Sequence, residues 1–304
     1  MLSFFLALAP VFLLIFIGHA LKRWNAFDGA FWVGAERLTY FILFPALLTQ
    51  TLAAAKIPAL TAGPMALAMM VGVFLVTAIQ LAFRRTVPAD GPSFTSIYEG
   101  SVRPNTYVGL AVAAGAFGKP AISIAAICVA ATVPLVNLLS VAVLGRYAGA
   151  SAARAREVAL AVATNPLILS CLLGILLNVT GIGLPPVIEP LLVALGSASL
   201  PLGLLAVGAG LDLGAARRAG VPVGIAASSK LLLLPLLTGS ALWLFGVSGL
   251  AYQVALLYVA LPCSASAYVL SRQMGGDAPL MAGIITAQTL AAVVSMPLVL
   301  TLIG

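Results

Sequence analysis

Charged residues are scarce in this chain. Asp, Glu, Lys and Arg make up only 8% of its 304 residues, whereas about one quarter of a soluble domain is charged. Hydrophobic residues reach 62%, and the mean hydropathy is +1.16. Such a chain cannot cover itself with a hydrated surface, so the composition excludes an ordinary soluble protein and predicts a protein of the lipid bilayer.

Groups that carry catalysis or bind metals are also scarce. His19 is the sole histidine, and Cys128, Cys171 and Cys263 lie inside apolar runs without metal-ligand spacing. No cluster of carboxylates is visible, and no nucleophile has a histidine partner. We therefore expect no enzymatic activity, no metal site and no disulfide. A non-transporting receptor or a channel is an alternative to a carrier.

Apolar runs dominate what is present. A helix needs about 20 apolar residues to cross the hydrocarbon core of a bilayer. Ten runs of suitable length predict an all-α polytopic membrane protein, with spans at 2–21, 38–55, 63–83, 100–117, 121–145, 157–178, 187–211, 220–245, 249–271 and 279–303.

Prolines recur at a nearly constant offset between the two halves of the chain. Five pairs are separated by 156, 156, 158, 158 and 159 residues: Pro10 and Pro166, Pro45 and Pro201, Pro64 and Pro222, Pro104 and Pro262, Pro120 and Pro279. The offsets predict two five-span repeats, at 1–147 and 157–304. Five is odd, so the second repeat must enter the membrane from the opposite side, as in inverted-repeat transporters.

Lys and Arg indicate the orientation, because they concentrate in cytoplasmic connections. The even-numbered connections hold only Lys56 and Lys119. The odd-numbered ones hold Lys22, Arg23, Arg37, Arg84, Arg85, Arg103, Arg146, Arg154, Arg156, Arg217, Arg218 and Arg272. Both termini are therefore expected outside the cytoplasm. The net charge of +7 reflects this topology, and we expect membrane lipid rather than nucleic acid as a partner.

Two helix breakers lie inside predicted spans and are repeat mates. Pro104 is followed by Asn105 and Thr106 in the fourth span, and Pro262 precedes Ser264 and Ser266 in the ninth. Backbone groups freed from a helix are tolerated at membrane depth only where protein or a water-filled cavity satisfies them. We expect helices 4 and 9 to be broken and to meet at a binding site formed by these residues. The simpler alternative is an ordinary helix start and a kink.

Asn165 and Lys230 are candidate neighbours of that site. Asn165 precedes Pro166 early in the sixth span and either caps a helix break or donates to a substrate. Lys230 lies about ten residues into the eighth span, roughly 15 Å from its end. An intramembrane charge is a functional hypothesis by default. The alternative for Lys230 is a structural strut that pairs with carbonyls at a helix end.

The acidic residues bear on the coupling ion. All eight lie in connections or at span ends of the predicted topology, including Glu99 in a polar connection at about 84–99. No mid-membrane carboxylate is therefore expected to carry a proton. Sodium could be bound by the carbonyl, Asn, Thr and Ser oxygens of the broken helices, and an uncoupled uniporter is a third alternative.

Several motifs together resemble the auxin efflux carrier family, which includes bacterial malonate-type permeases and the plant PIN exporters. The resemblance covers essentially the whole chain. Its motifs are residues 105–110 (NTYVGL) with Phe117-Gly118, residues 165–168 (NPLI) with Leu173-Gly174 and Asn178, residues 201–205 (PLGLL) with Gly208 and Gly210-Leu211, and residues 267–273 (AYVLSRQ) with Gly275-Gly276-Asp277.

The resemblance implies a fold like that of bile-acid sodium symporters, in the bacterial inner membrane. Ten helices would form two inverted repeats, with helices 1, 2, 6 and 7 as a scaffold and helices 3–5 and 8–10 as a moving transport domain. Broken helices 4 and 9 would cross at the substrate site, where Asn105 and Pro262 match family positions. Relatives often have a proline two residues after the glycine of this motif, where this chain has Ala111. A homodimer joined through the scaffold is also implied.

The function expected from these observations is secondary transport of small organic anions such as carboxylates, by an elevator-type mechanism. No cofactor is expected beyond Na⁺ or H⁺ as a coupling ion. The alternative within transport is a sodium-coupled symporter of larger amphipathic anions such as bile-acid-like compounds.

Overall fold

The computed structural model describes residues 2–55, 59–149, 160, 164–218 and 220–303 of the chain. Within these ranges the fold is all-helical and contains no β-strand. The helices of the first half are α1 (Leu2–Arg23), α2 (Gly29–Leu38), α3 (Phe44–Ala53), α4 (Ala59–Ala82), α5 (Gly91–Val102), α6 (Thr106–Phe117) and α7 (Lys119–Tyr147).

The second half of the chain is also helical. Its helices are α8 (Pro166–Val179), α9 (Ile188–Ala209), α10 (Leu213–Arg218), α11 (Gly220–Ser228), α12 (Leu234–Leu244), α13 (Gly249–Val259), α14 (Ser266–Met274) and α15 (Ala278–Ile303). The start of the predicted sixth span, at 157–163, lies almost entirely outside the described residues.

Six helical stretches among the described residues are long and apolar enough to cross a membrane. They are Gly29–Ala53, Thr61–Ala82, Lys119–Tyr147, Ile188–Ala209, Gly220–Leu244 and Ala278–Thr301. Shorter apolar helices accompany them at Thr106–Phe117, Pro166–Val179 and Gly249–Val259. The chain is thus a multi-pass membrane protein, as its composition predicts.

Two predicted spans begin earlier than the hydropathy of the sequence suggests. The second begins at Gly29 rather than 38, and the fourth begins with α5 at Gly91 rather than 100. The polar connection predicted at 84–99 is therefore wrong in its second half. Ser, Thr, Tyr and Glu side chains of α5 are buried against protein instead of lipid, which a hydropathy window cannot recognise.

Asp90 begins α5. Its side chain accepts a hydrogen bond from the backbone N–H of Ser93, 2.8 Å away, which satisfies one of the free donors of the first turn. Hydrogen bonds from Ser93 lower the pKa of Asp90, and the positive charge of Arg84 lowers it further. The cap lies at the exposed end of the helix and marks where the connection after α4 stops.

A π-helical segment joins α2 to α3, and another joins α11 to α12. They span Thr39–Leu43 and Ser229–Leu233. Each is followed by a proline in the first turn of the next helix, Pro45 or Pro235. Proline has no N–H for the usual i−4 hydrogen bond, so a local change of register is a low-cost way to continue the helix. Lys230 lies in the second of these segments.

The helices pack in two groups. In the first, α1 packs against α9, and α3 packs against α8 and α9. In the second, α4 packs against α7 and α12, α13 packs against α7 and α12, and α5 packs against α7, α11 and α15. The interrupted helices α5–α6 and α13–α14 belong to the second group, and α6 also contacts α1 and α9 of the first.

Candidate binding site where two broken helices cross

The first interruption separates α5 from α6. Helix α5 ends at Val102, Arg103 is extended with φ −79° and ψ 116°, and α6 begins at Thr106. The residue before a proline disfavours helical geometry, which explains the extended conformation of Arg103 ahead of Pro104. Asn105 then caps α6, accepting a hydrogen bond from the N–H of Val108 over 3.3 Å. The fourth predicted helix is thus interrupted here.

The second interruption is longer. Helix α13 ends at Val259 and α14 begins at Ser266, with Pro262 between them. Ser264 supports the start of α14, because its Oγ accepts hydrogen bonds from the N–H of Ser266 at 3.3 Å and from the Oγ of Ser266 at 3.0 Å. Both interruptions predicted from the prolines are therefore present.

The two interruptions touch each other. The N–H of Asn105 donates to the carbonyl of Pro262 over 2.9 Å, and Pro104 and Cys263 pair as an isolated antiparallel bridge. Gln288 of α15 joins both chains: its Oε1 accepts from the N–H of Cys263 at 2.8 Å, and its Nε2 donates to the carbonyl of Gly100 at 2.9 Å. Backbone groups freed by the breaks are thus paired across the crossing.

A small cavity of about 100 Å³ lies beside this crossing. Both groups of helices contribute to its wall. The lining residues are Glu36, Tyr40, Arg103, Pro104, Thr106, Tyr107, Val133, Val136, Asn137, Asn165, Leu167, Ser264 and Ser266.

Arg103 is the cation of the cavity wall. Its residue is 8% exposed, and its Nη1 donates to the Oγ of Ser266 over 3.2 Å. Its Nη2 lies 3.4 Å from the Oε1 of Glu99 in an ion pair. Nε and Nη2 have no hydrogen-bond acceptor among the described residues. A guanidinium is suited to a carboxylate, which it can bind through two parallel hydrogen bonds.

Four of the predicted site residues line the cavity: Thr106, Asn165, Ser264 and Ser266. Asn165 combines the two roles left open for it. Its Oδ1 caps α8 by accepting from the N–H of Leu167 at 2.9 Å, and the residue also faces the cavity.

Asn105 and Pro262 build the crossing but do not line the cavity. Pro262 contributes its carbonyl oxygen to the hydrogen bond with Asn105. Asn105 is fully buried, and its Nδ2 has no hydrogen-bond partner among the described residues. Asn105 thus stands at the crossing with an unpaired donor, next to Thr106, which lines the cavity.

Lys230 also lies away from the cavity. It is fully buried, and its Nζ donates to the carbonyl of Val259, the last residue of α13, over 2.7 Å. The C-terminal end of a helix carries partial negative charge, which a cation stabilises. This geometry favours the strut alternative over a place in the substrate path.

Sequence reasoning missed five polar or aromatic residues of the wall: Glu36, Tyr40, Arg103, Tyr107 and Asn137. Arg103 was assigned to a connection and counted as a topology signal. Arg37 lies in the span that begins at Gly29, so without these two residues the predicted odd-numbered connections keep ten cations. The position of Arg103 immediately before the helix-breaking Pro104 was the signal that could have identified it.

The interrupted, cross-braced helices and the polar cavity are features of membrane transporters. A family model described as "Membrane transport protein" matches residues 3–300. The chain therefore belongs to the auxin efflux carrier family and is a membrane transporter. A comparison with curated proteins gave no match.

Proposed function

We propose that the protein is a secondary transporter of small organic anions, carboxylates above all, and that Arg103 binds the anionic group. The observation that carries this proposal is the buried guanidinium in the cavity wall, which donates to Ser266 beside the cavity and whose Nε and Nη2 make no hydrogen bond to the described residues. Buried donors are almost always paired in folded proteins, so free ones at a cavity suggest a ligand.

The surroundings of Arg103 suit a carboxylate. Ser264, Ser266, Thr106 and Asn165 supply hydroxyl and amide groups around the same cavity, and Thr106 lies in the first turn of α6. The amino-terminal end of a helix favours negative charge. Tyr107, Val133 and Val136 supply apolar wall for the rest of a small molecule.

The size of the cavity favours a small substrate. Its volume is about 100 Å³, enough for a few water molecules or one short anion. A short mono- or dicarboxylate fits this space, whereas a bile-acid-like anion would require the cavity to widen considerably. We therefore prefer small carboxylates to the larger amphipathic anions of the alternative.

The transport mechanism we propose is elevator-like. The cavity lies between the two packed groups of helices. Asn165 caps α8 of the first group, and Glu36 lies in α2, which packs against α9 of that group. Arg103 and Ser266 come from the second group. Sliding the second group against the first would carry the site across the membrane. An inverted repeat of ten helices, a homodimer joined through α1, α3, α8 and α9, and a bacterial inner-membrane location with both termini outside are parts of the same proposal.

A binding screen tests the proposal. Acetate, malonate, succinate, benzoate and indole-3-acetate would be added to the purified protein, and a ligand that binds the folded state raises its thermal midpoint. Arg103→Gln should weaken the best of them by about 10- to 100-fold, the value of a charge-assisted hydrogen bond of roughly 1.5–3 kcal/mol. Arg103→Lys keeps the charge and should lose less.

Arg146→Gln is the matched control, because Arg146 is exposed at the end of α7 and should leave affinity unchanged. The proposal fails if none of these anions shifts the midpoint, or if Arg103→Gln binds them as the wild type does. Counterflow of the labelled anion in proteoliposomes then separates a carrier from a channel, since only a carrier exchanges a saturable substrate.

A further inference from the structure

Glu99 is a carboxylate inside the protein where none was expected. It is fully buried in α5, one helical turn before Arg103. Its Oε2 accepts a hydrogen bond from the Oγ of Ser271 over 2.8 Å, and its Oε1 faces Nη2 of Arg103 at 3.4 Å without a hydrogen bond. Glu99 does not line the cavity, so it reaches the anion site only through Arg103.

Arg103 therefore lies between two acceptors. Glu99 is on one side, and the cavity with Ser266 is on the other. An anion that binds Arg103 from the cavity places two negative groups on one guanidinium, in a setting where a buried uncompensated charge is strongly unfavourable. Neutralising Glu99 with one proton removes this conflict.

A row of hydroxyl groups leads from Glu99 towards the end of α5. Ser271 Oγ lies 3.5 Å from Ser96 Oγ, and Ser96 donates to the carbonyl of Asp277 over 3.0 Å. One turn further on, Ser93 Oγ donates to the Asp277 carboxylate over 2.9 Å. Ser271 and Ser96 are fully buried, whereas Asp277 and Ser93 are partly exposed, so this row joins the carboxylate to solvent.

The other ionisable groups near Glu99 are few. Tyr98 on the same helix points to Thr77, its hydroxyl 3.1 Å away, and Cys263 approaches the backbone of Glu99 from the second interruption. Lys230, in the π-helical segment that packs on α5, is engaged with Val259. Helices α4, α11 and α15 contain no ionisable side chain, and the Tyr268 and Arg272 side chains of α14 are exposed. On α7, Lys119 and Arg146 are exposed, Cys128 is buried, and the ring of Tyr147 packs on Phe94 at the start of α5. Among the described residues, Arg103 is thus the charged group in contact with the Glu99 carboxylate.

We propose that Glu99 takes up one proton when an anion binds Arg103 and releases it when the anion leaves, so that the protein carries one proton with each anion. The proton comes from water at the Asp277 end and passes along Ser96 and Ser271. The carboxylate becomes a carboxylic acid, and Ser271 remains hydrogen-bonded to it. This inference rests on the proposed function, because it assumes that Arg103 is the anion site.

A first experiment needs no substrate. Arg103→Gln removes the positive charge that a bound anion would neutralise. Infrared difference spectra at neutral pH should therefore show the carbonyl band of a protonated Glu99 side chain. The band should be absent from the Glu99→Gln/Arg103→Gln double variant, and Arg103→Lys should retain an ionised Glu99. An Arg103→Gln spectrum without this band overturns the proposal.

A second experiment measures the pH dependence of binding with malonate and benzoate. One proton taken up per anion makes wild-type affinity fall by about tenfold for each pH unit above the point where Glu99 ionises. Glu99→Gln should not show this tenfold fall per pH unit and should lose proton-driven uptake in proteoliposomes. Equal pH profiles for wild type and Glu99→Gln overturn the proposal, whether or not Arg103→Gln can be purified in folded form.

The two proposals fail differently. If malonate and benzoate bind through Arg103 but Glu99 never takes up a proton, anion transport stands and proton coupling falls. If neither anion binds the wild type, the proposed function falls for these anions, and the substrate-free spectra still decide whether Arg103 controls the protonation of Glu99. Ser96→Ala should slow uptake with unchanged affinity, and an unchanged rate removes the hydroxyl row from the proposal.

Discussion

The Nζ of Lys230 donates a hydrogen bond of 2.7 Å to the carbonyl of Val259, which fixes a buried cation at the end of α13. The contact joins the π-helical segment between α11 and α12 to the first half of a broken helix. It leaves the ammonium group outside the cavity wall, so its positive charge compensates a helix end instead of a substrate.

Lys230→Met tests this role. Methionine keeps most of the volume but leaves the Val259 carbonyl without its donor, and a buried unpaired acceptor costs roughly 1–3 kcal/mol. We expect a lower thermal midpoint and an equal, small change in affinity for a monocarboxylate and a dicarboxylate. Lys119→Met, on an exposed lysine, should change neither. A loss that is much larger for the dicarboxylate would return Lys230 to the substrate path.

Gln288 holds the crossing together through one side chain. Replacing it with leucine leaves the N–H of Cys263 and the carbonyl of Gly100 unpaired, at a cost of roughly 1–3 kcal/mol each. We expect Gln288→Leu to lower the thermal midpoint and to weaken anion binding, because Arg103 and Ser266 are positioned by the two chains it joins. The midpoint and the affinity should both be measured.

Gln273→Leu is the control for that prediction, since Gln273 is an exposed glutamine of α14. Gln273→Leu is the same substitution, glutamine to leucine, in the same half of the chain but at an exposed position. Wild-type affinity in Gln288→Leu would show that the crossing keeps its shape without this brace.

The sequence located the helix interruptions because proline acts locally. Pro104 and Pro262 remove a backbone donor and restrict the preceding residue, whatever surrounds them. The depth predicted for Lys230 rests on the same kind of local rule, because its distance from the helix end depends only on the rise per residue. Thr106, Ser264 and Ser266 followed from their spacing after the prolines, and each lines the cavity.

Glu99 and Arg103 could not be placed in this way. A hydropathy window assumes that every span is surrounded by lipid. It therefore predicts that the polar residues of α5 belong to a connection at the surface, although they are buried in the protein. In the fold this helix is enclosed by α7, α11 and α15, where Ser271 and Arg103 pair with the carboxylate. Partners so distant in sequence become visible only once the helices are packed.

Asn105→Ala separates capping from ligand binding. The change removes the cap of α6, which is worth about 1 kcal/mol, and the free Nδ2 donor near the crossing. We expect anion affinity to fall by more than about tenfold, while the protein remains folded. Asn105→Ser keeps a cap acceptor without the amide donor or a new charge, so it should lose affinity while regaining part of the stability.

Asn178→Ala is the matched control. Asn178 donates to the carbonyls of Ala53 and Ala55 at 2.8–3.0 Å, far along α8 from the crossing. Its loss should lower stability without altering affinity. If Asn105→Ala binds the anion as tightly as Asn178→Ala does, Asn105 is a structural residue of the crossing and nothing more.

Gly208 tests the close packing of α1 against α9. A Cβ at Gly208 would collide with the carbonyl of Ile15, and one at Gly18 would collide with the carbonyl of Leu205, so the two backbones meet where glycines allow it. Gly208→Ala must push the helices apart, and overpacking of this kind costs typically 1–3 kcal/mol. We expect a lower thermal midpoint in detergent.

Gly224→Ala gives the opposite expectation. A Cβ there meets nothing within 4 Å, and alanine is a better helix former than glycine by about 0.5–1 kcal/mol. Its midpoint should therefore stay level or rise. Since α1 and α9 belong to the group of helices proposed to stay fixed, Gly208→Ala should lose stability while keeping its affinity for carboxylates. Equal midpoints for the two variants would mean that α1 and α9 lie further apart than described here.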